Sequence, residues 1–394
     1  MHPAVRDLLV IETAGVLAGP LAGQFFAELG ARVVKVENPR AGGDVTRQWR
    51  TPEEDPEETR TAYFCAANWG KASVALDLKS EAGRAVLDDL LDRADLWIDN
   101  FQPATLDRLQ IRPDEIRERN PRLIHARIEA YGPGDDRPGY DAALQAESGL
   151  MSMNGTADSG PLKLPLAMVD ILTSHQIKEA VLLALWERER TGLGGAVSAS
   201  LYDSAVACLA NQATNYLVTG KAPRRLGSGH PNIVPYGTVF ECAGGKPVVV
   251  AVGNDRQFAA LCEVLGSPEL AGKPEYASNR QRVIHRGSLE GLLAKLLGTI
   301  DRESLVAKLE GRNVPAAAVL SIDEVMAAEA SGPLLLRDEA SGRAGLRSVA
   351  FKAVGGEFRS GLAPPPRLGQ DSERVLSDIL GYSPDRIAQA LVDF

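Results

Sequence analysis

The sequence predicts an α/β protein: a large domain on a mostly parallel sheet, and a smaller α+β domain inserted before the chain returns to the first. Three observations carry this. Strand-like and helix-like segments alternate through the first 200 residues, the pattern of a parallel sheet covered on both faces. Near residue 220 the character changes to "GKAPRRLGSGHPNIVPYG", rich in Gly, Pro and Arg, which reads as linker and loop. The chain has 394 residues, more than one core usually holds. The expected domains are residues 1–200 as the N-terminal part of the large domain, 225–325 as the small one, and 330–394 as a C-terminal segment that rejoins the large one.

The elements follow in order. "DLLVIE" is an apolar strand, "GPLAGQFFAELG" an amphipathic helix closed by Gly30, and "ARVVKVE" the next strand, together one βαβ crossover. "ASVALDL" (72–78) is a strand. "SEAGRAVLDDLLDRA" (80–94) is a helix capped by Ser80, and "DLWIDN" (95–100) is again a strand. "PATLDRLQ" and "PDEIRERN" are short helices with Pro at their starts, before the strand "RLIHARIEAYG" (122–132). A long helix runs from Asp170 to about Arg190, "GAVSASL" is a strand, and 202–220 reads as one further helix. "TVFECAGGKPVVVAVG" is a hairpin turning at Gly244 and Gly245. Helices are expected at about 255–266, 288–298 and 302–311, with two more after "APPPRLGQD".

Composition narrows the function. A net charge of −9, from 43 basic and 52 acidic residues, argues against a general nucleic-acid partner. No apolar run is long enough to cross a membrane, and "MHPAVRDLLVIET" reads as a strand rather than a signal peptide. Cys65, Cys208, Cys242 and Cys262 are widely spaced, as suits reduced thiols in a cytoplasmic protein. The five histidines are scattered without zinc spacing, so no metal is expected.

The first strand–helix turn, "ETAGVLAGP", stands where open parallel sheets bind ligands. It lacks G-x-G-x-x-G, and the chain has neither a P-loop nor a nucleophile elbow. Glu37, at the end of the second strand, is too weak a signal to imply a nicotinamide dehydrogenase. In "PLAMVDILTSH", Asp170 is a carboxylate inside an apolar run, costly unless compensated. The residues alone leave it open whether Asp170 is a helix cap or a functional group.

Taken together, "VLAGPLAGQFFAELGARVVKVENP", "GDVTRQW", "NWGKASVALDLKS", "DNFQPATLDRL", "AYGPG", "RPGYDAALQAESGLM", "PLAMVDILTS", "GHPNIVPYGTVF", "GNDRQFAALCEVLG" and "PPPRLGQDSERVL" resemble, in order, the family III CoA-transferases. That family also contains the α-methylacyl-CoA racemases. The resemblance implies a Rossmann-like, CoA-binding large domain assembled from both chain ends and an interlocked homodimer. Linkers near 195–230 and 325–365 suit such threading. It implies no permanently bound cofactor; an acyl-CoA thioester and a small carboxylic acid are the substrates. Asp170 matches the family's nucleophile, whose carboxylate attacks the thioester to give an aspartyl anhydride and then an aspartyl-CoA thioester. Such an intermediate requires a dry site, which the apolar neighbours suit.

Racemases carry a histidine where this chain has Tyr140, and neither His125 nor His175 matches that position. This favours transfer over racemisation. Val16, Leu17 and Ala18 match the loop beside the pantetheine and thioester. Leu17 replaces a glutamine found in some oxalate-acting relatives. Asn100, Phe101 and Arg108 match a nucleotide-contact segment, with Arg108 the first phosphate candidate, followed by Lys71 and Arg137. Asn38 and Glu129 stand where some relatives are basic. Gly227, Ser228, Gly229 and His230 match a glycine loop that shields the intermediate. The branch resembled acts on dicarboxylates, as in succinyl-CoA:glutarate transfer. Arg47, Arg224 and Arg225 are candidates for the distal carboxylate, and Trp49 for an apolar wall.

Overall fold

Six parallel strands form the central sheet: β1 Leu9–Glu12, β2 Arg32–Glu37, β3 Lys71–Ala75, β4 Leu96–Asp99, β5 Ile124–Glu129 and β6 Gly195–Ser200. They lie in the order β3-β2-β1-β4-β5-β6, with Val10 of β1 opposite Val33 of β2 on one side and Leu96 of β4 on the other. The strand order therefore reverses between β1 and β4, the point where open α/β sheets leave a crevice beyond their carboxyl ends. The structure is a computed structural model, and it describes residues 5–352 and 361–391.

Local chemistry accounts for the helices between the strands. The helix Ala18–Leu29 stops because Gly30 takes φ 104°, a left-handed conformation that glycine adopts without a Cβ penalty. The helix Glu81–Leu91 starts where the Ser80 hydroxyl accepts the Gly83 N–H. Period-two alternation puts Leu9 and Ile11 in one core cluster with Val34, Val74, Leu87, Leu90 and Trp97.

The chain separates into two units. The first joins Met1–Ser148, Pro165–Leu209 and Gly332–Phe394; the second joins Gly149–Leu164 and Ala210–Ser331. Segment 149–164, read from sequence with the large domain, thus groups with the second unit. Within the first unit the C-terminal segment lies along β3. The Ser73 N–H donates to Asp371 Oδ2 at 3.0 Å, and the Ala75 N–H donates to the Ser372 hydroxyl at 3.1 Å. Val375, Leu376 and Ile387 join the core cluster already described. The second unit holds an antiparallel sheet of β7 Tyr236–Glu241, β8 Pro247–Ala251 and β9 Ala316–Ala318. The turn between β7 and β8 places Gly244 and Gly245 at φ 75° and 72°. Its helices pack Phe258, Leu261, Leu289, Leu293 and Leu305 against Val248 and Val250.

The single helix expected over 202–220 is two helices, Leu201–Ala207 and Ala210–Thr219. Ala210 takes φ 41°, which a right-handed helix cannot carry through, and the division between the units falls at the same place. The short helices Asn279–Ile284 and Ile322–Ala327 and the hairpin β10 Leu335–Asp338 with β11 Arg343–Leu346 had no counterpart in the sequence reading. Residues 353–360 of the expected linker, and the last three residues of the expected C-terminal helix, lie outside the described residues.

Candidate active site

The loops leaving β1 and β4 are tied together where the strand order reverses. The Gly15 N–H donates to Asn100 Oδ1 at 3.2 Å, and Asn100 Nδ2 donates to the Gly15 carbonyl at 3.2 Å. A cavity of about 240 Å³ opens there. It brings together Val16, Leu17, Ala18, Asn100, Phe101, Arg137, Tyr140 and Asp170 from four separate stretches of chain. A second cavity, about 310 Å³, shares Gly15, Asn100 and Phe101 with the first and adds Asn38, Lys79 and Arg108. Arg108 is exposed, and its only hydrogen bond among the described residues is a long one to Thr105 Oγ1. Its guanidinium therefore retains donors for an anion. Arg137 stacks on the Tyr131 ring at 3.8 Å and is bidentate to Asp135, so its charge is partly engaged.

Asp170 occupies the first turn of the helix Met168–Thr191, the turn whose N–H groups lack intrahelical acceptors. It is 8% exposed, and among the described residues its carboxylate has neither a hydrogen-bond nor an ion-pair partner. One turn on, the buried Ser174 hydroxyl is also without a partner among the described residues. Burial raises the Asp170 carboxyl to about 7, with the nearby charge of Asp141 adding to the effect. Asp141 was not singled out from sequence. Its Oδ1 accepts the Val169 N–H at 2.7 Å, which fixes the start of the Asp170 helix. Its Oδ2 accepts from Gln145 Nε2 at 2.7 Å. The signal available was an acid directly after Tyr140, opening the helix Asp141–Glu147. Tyr140 itself is 61% exposed at the cavity rim.

Two expected contacts are corrected by burial. Lys71, read as a phosphate contact, is 4% exposed, and its ammonium donates to Glu12 Oε1 and Oε2 at 2.8 Å, to the Pro20 carbonyl and to Asn68. No donor remains for a ligand. Arg47, read as a partner for a substrate carboxylate, is 1% exposed and grips Glu37 through Nε at 2.8 Å and Nη2 at 2.7 Å, over the Phe64 ring. Both are core cations: Lys71, at the start of β3, is paired with Glu12 of β1, and Arg47, in the turn after β2, with Glu37 of β2. Glu37 is correspondingly spent: although burial favours its neutral form, Arg47 and Lys35 hold its pKa below the ordinary value. His125 is likewise internal, bonded to Asp99 and stacked on Trp97.

Trp49 packs edge-on to Tyr63 with ring centroids 5.1 Å apart. Tyr63 was also missed. Its hydroxyl pKa is raised by burial and then by the charge of Asp170, which places it in the electrostatic neighbourhood of that carboxylate. The loop 227–230 belongs to the second unit. There Gly227 takes φ 60°, with its N–H donating to the Gly155 carbonyl at 2.8 Å, and the His230 N–H donates to the Tyr236 carbonyl at 2.9 Å. Ser228 Oγ accepts the Val239 N–H, and the Gly229 N–H bonds the Leu226 carbonyl. Arg225 in the same unit is tied to the Ser152 and Thr156 carbonyls, while Arg224 is exposed.

Comparison with known proteins bears on this arrangement. The profile of CoA-transferase family III matches residues 5–372. The chain is 36% identical over 397 residues to the succinate–glutarate CoA-transferase of Agrobacterium fabrum, covering 96% of each chain. It is 34% identical to the succinyl-CoA:glutarate CoA-transferase of Homo sapiens, covering 98% of this chain and 88% of that one. The crystal structure of a CAIB/BAIF family protein from Brucella suis matches with a TM-score of 0.83 at 35% identity, over 96% of this chain and 99% of that one.

Proposed function

The chain belongs to CoA-transferase family III and is a CoA-transferase; on that footing we propose that it moves CoA from succinyl-CoA or a similar dicarboxylyl-CoA to a carboxylic acid, with Asp170 as the nucleophile. The observation that carries the reading is the unpartnered Asp170 carboxylate lining the cavity where the strand order reverses. A structural aspartate this buried would be paired. This one is left free, at a helix start whose dipole favours its ionised form.

The steps balance as follows. An Asp170 oxygen attacks the thioester carbonyl, the C–S bond breaks, and CoA leaves as thiolate from a mixed anhydride. The thiolate attacks the aspartyl carbonyl of that anhydride, the C–O bond breaks, and the donor acid departs as carboxylate. The acceptor carboxylate attacks the resulting aspartyl-CoA thioester and again expels thiolate. The thiolate then takes the acceptor acyl group and restores Asp170. An exposed anhydride would hydrolyse, so the depth of the site serves the chemistry. Arg108, at the second cavity, suits the nucleotide phosphates of CoA, and Val16, Leu17 and Ala18 suit the thioester end. The enzyme acts in the cytoplasm as an interlocked homodimer and carries no resident cofactor.

A panel of CoA esters assayed against mono- and dicarboxylic acceptors tests the reading. The expected result is exchange with a dicarboxylyl donor, and loss of at least about a thousandfold in kcat for Asp170→Ala. Full activity in Asp170→Ala removes the assignment. Loss of the α-hydrogen of a 2-methylacyl-CoA to deuterated water with no acceptor present makes the protein a racemase instead.

A further inference from the structure

Val16 is held in a conformation that its side chain opposes. Its φ is +71°, in the left-handed region, where a β-branched residue is a genuine outlier. Such strain persists only where the surroundings impose it. What imposes it here is Asp44, a residue from a different loop. The Val16 N–H points at the Asp44 carboxylate, 3.3 Å from Oδ1 and 3.2 Å from Oδ2. Asp44 is itself immobilised. Lys35 Nζ lies 2.9 Å from its Oδ2, and the Thr46 N–H and hydroxyl donate to its Oδ1 at 3.0 and 2.9 Å. Lys35 in turn is anchored to Glu12 Oε1 at 3.0 Å and to the Ala14 carbonyl at 2.8 Å. Burial favours the neutral acid, but Lys35 and Thr46 outweigh it and hold the Asp44 carboxyl at about 2, so the clamp stays ionised at any physiological pH.

Val16 lines the same cavity as Asp170, between the end of β1 and the first turn of the helix Ala18–Leu29. The direction in which the chain leaves Val16 decides where Leu17 and Ala18 sit in that cavity. We propose that Asp44 is a positioning residue for the transfer reaction: it holds Val16 left-handed and so fixes the cavity edge along which the thioester must lie for attack by Asp170. The proposal rests on the reading of Asp170 as nucleophile, and it deepens that reading by giving the strained loop a cause and a purpose. A misplacement of about 1 Å at a reacting centre can cost up to about a hundredfold in rate, so the buried ion network behind the loop would bear on kcat without touching the substrate.

The test is a rescue. Asp44→Ala should lower kcat by about tenfold or more while changing KM for the CoA ester by less than about threefold. Adding Val16→Gly to Asp44→Ala should recover at least about fivefold of that loss, because glycine takes φ +71° without a clamp. A merely structural Asp44 would give a double variant no better than the single one, and that result overturns the proposal. A second measurement does not depend on Asp44→Ala folding. Val16→Gly should melt at a higher temperature than Val16→Ala, the reverse of the usual order, because alanine keeps the Cβ that the left-handed geometry penalises. If Val16→Ala is the more stable of the two, Val16 is not left-handed in solution and the proposal fails. The reading of Asp170 is checked apart from this one. Absence of CoA exchange in the wild-type protein would sink that reading, whereas normal exchange with no rescue would sink only the clamp.

Discussion

Asp170 is destabilising as a charge, and the proposed chemistry needs that charge. Its carboxyl titrates near 7 because it is buried and because Asp141 faces the same helix start. On the proposed reading the nucleophile is the ionised form of Asp170, so activity should rise with pH through about 7 on its acidic limb. Asp141→Asn keeps an oxygen to accept the Val169 N–H but removes the charge. The acidic limb of kcat against pH should move to lower pH, and a limb that stays in place would show that Asp141 does not tune the nucleophile. The same shift has a stability consequence. The folded-state pKa lies above the ordinary one, so the contribution to stability is fully present below about pH 4 and is lost as pH rises through about 7. Asp170→Asn should therefore be more stable than the wild type at pH 8, by roughly 1–3 kcal/mol, with the difference vanishing in acid. At this scale the sequence was informative about Asp170, because a carboxylate among Leu166, Ala167, Met168, Val169, Ile171 and Leu172 stands out in one dimension. It misled about Lys71 and Arg47, whose partners Glu12 and Glu37 lie 59 and 10 residues away and appear only once the strands pair and the loop after β2 folds back.

The loops that follow β1 and β4 do different work from the cations around them, although all are basic or glycine-rich segments in sequence. Arg108 faces an open cavity, whereas Lys71 is sealed behind the sheet. Arg108→Ala should raise KM for CoA esters by about tenfold, with kcat nearly unchanged, because a phosphate contact remote from the thioester serves binding. Lys71→Met should instead remove one of the two buried cations, Lys71 and Lys35, that compensate Glu12 and cost about 1–3 kcal/mol of stability, with little effect on KM in the protein that remains folded. Thermal melts beside steady-state kinetics separate the two, and a raised KM in Lys71→Met would restore it to the binding site. Elements with a clear signal at one end were legible, such as the helix closed by Gly30 and the helix opened by Ser80. The helix Asn279–Ile284 and the hairpin of β10 and β11 were not, since runs of four to six residues are too short to display a period. The break at Ala210 was hidden for another reason. Nothing in "ACLANQAT" opposes a helix, and the chain departs from one where the two units divide.

Across the whole molecule, the first unit is made from both ends of the chain, and that arrangement builds the site. The C-terminal segment lies against β3 through Asp371 and Ser372 and reaches Arg47 through the Pro366 carbonyl. Arg47 and Glu37 are thereby fixed under the loop that carries Asp44, whose N–H donates to Glu37 Oε2 at 3.0 Å. A run of buried charges thus extends from the C-terminal segment to the cavity, and each member holds the next. The alternation of strands and helices was readable from sequence because each element carries its own period. The charge run was not, because its members come from segments far apart in the chain. The central claim is that Asp170 becomes covalently acylated during CoA transfer. The most direct measurement incubates the intact protein with a succinyl-type CoA ester and hydroxylamine, digests it, and weighs the peptide containing Asp170. A hydroxamate at Asp170, formed only when the CoA ester is present, is the predicted result. An unmodified Asp170 in protein that is actively exchanging CoA, or a hydroxamate on any other residue, would contradict it.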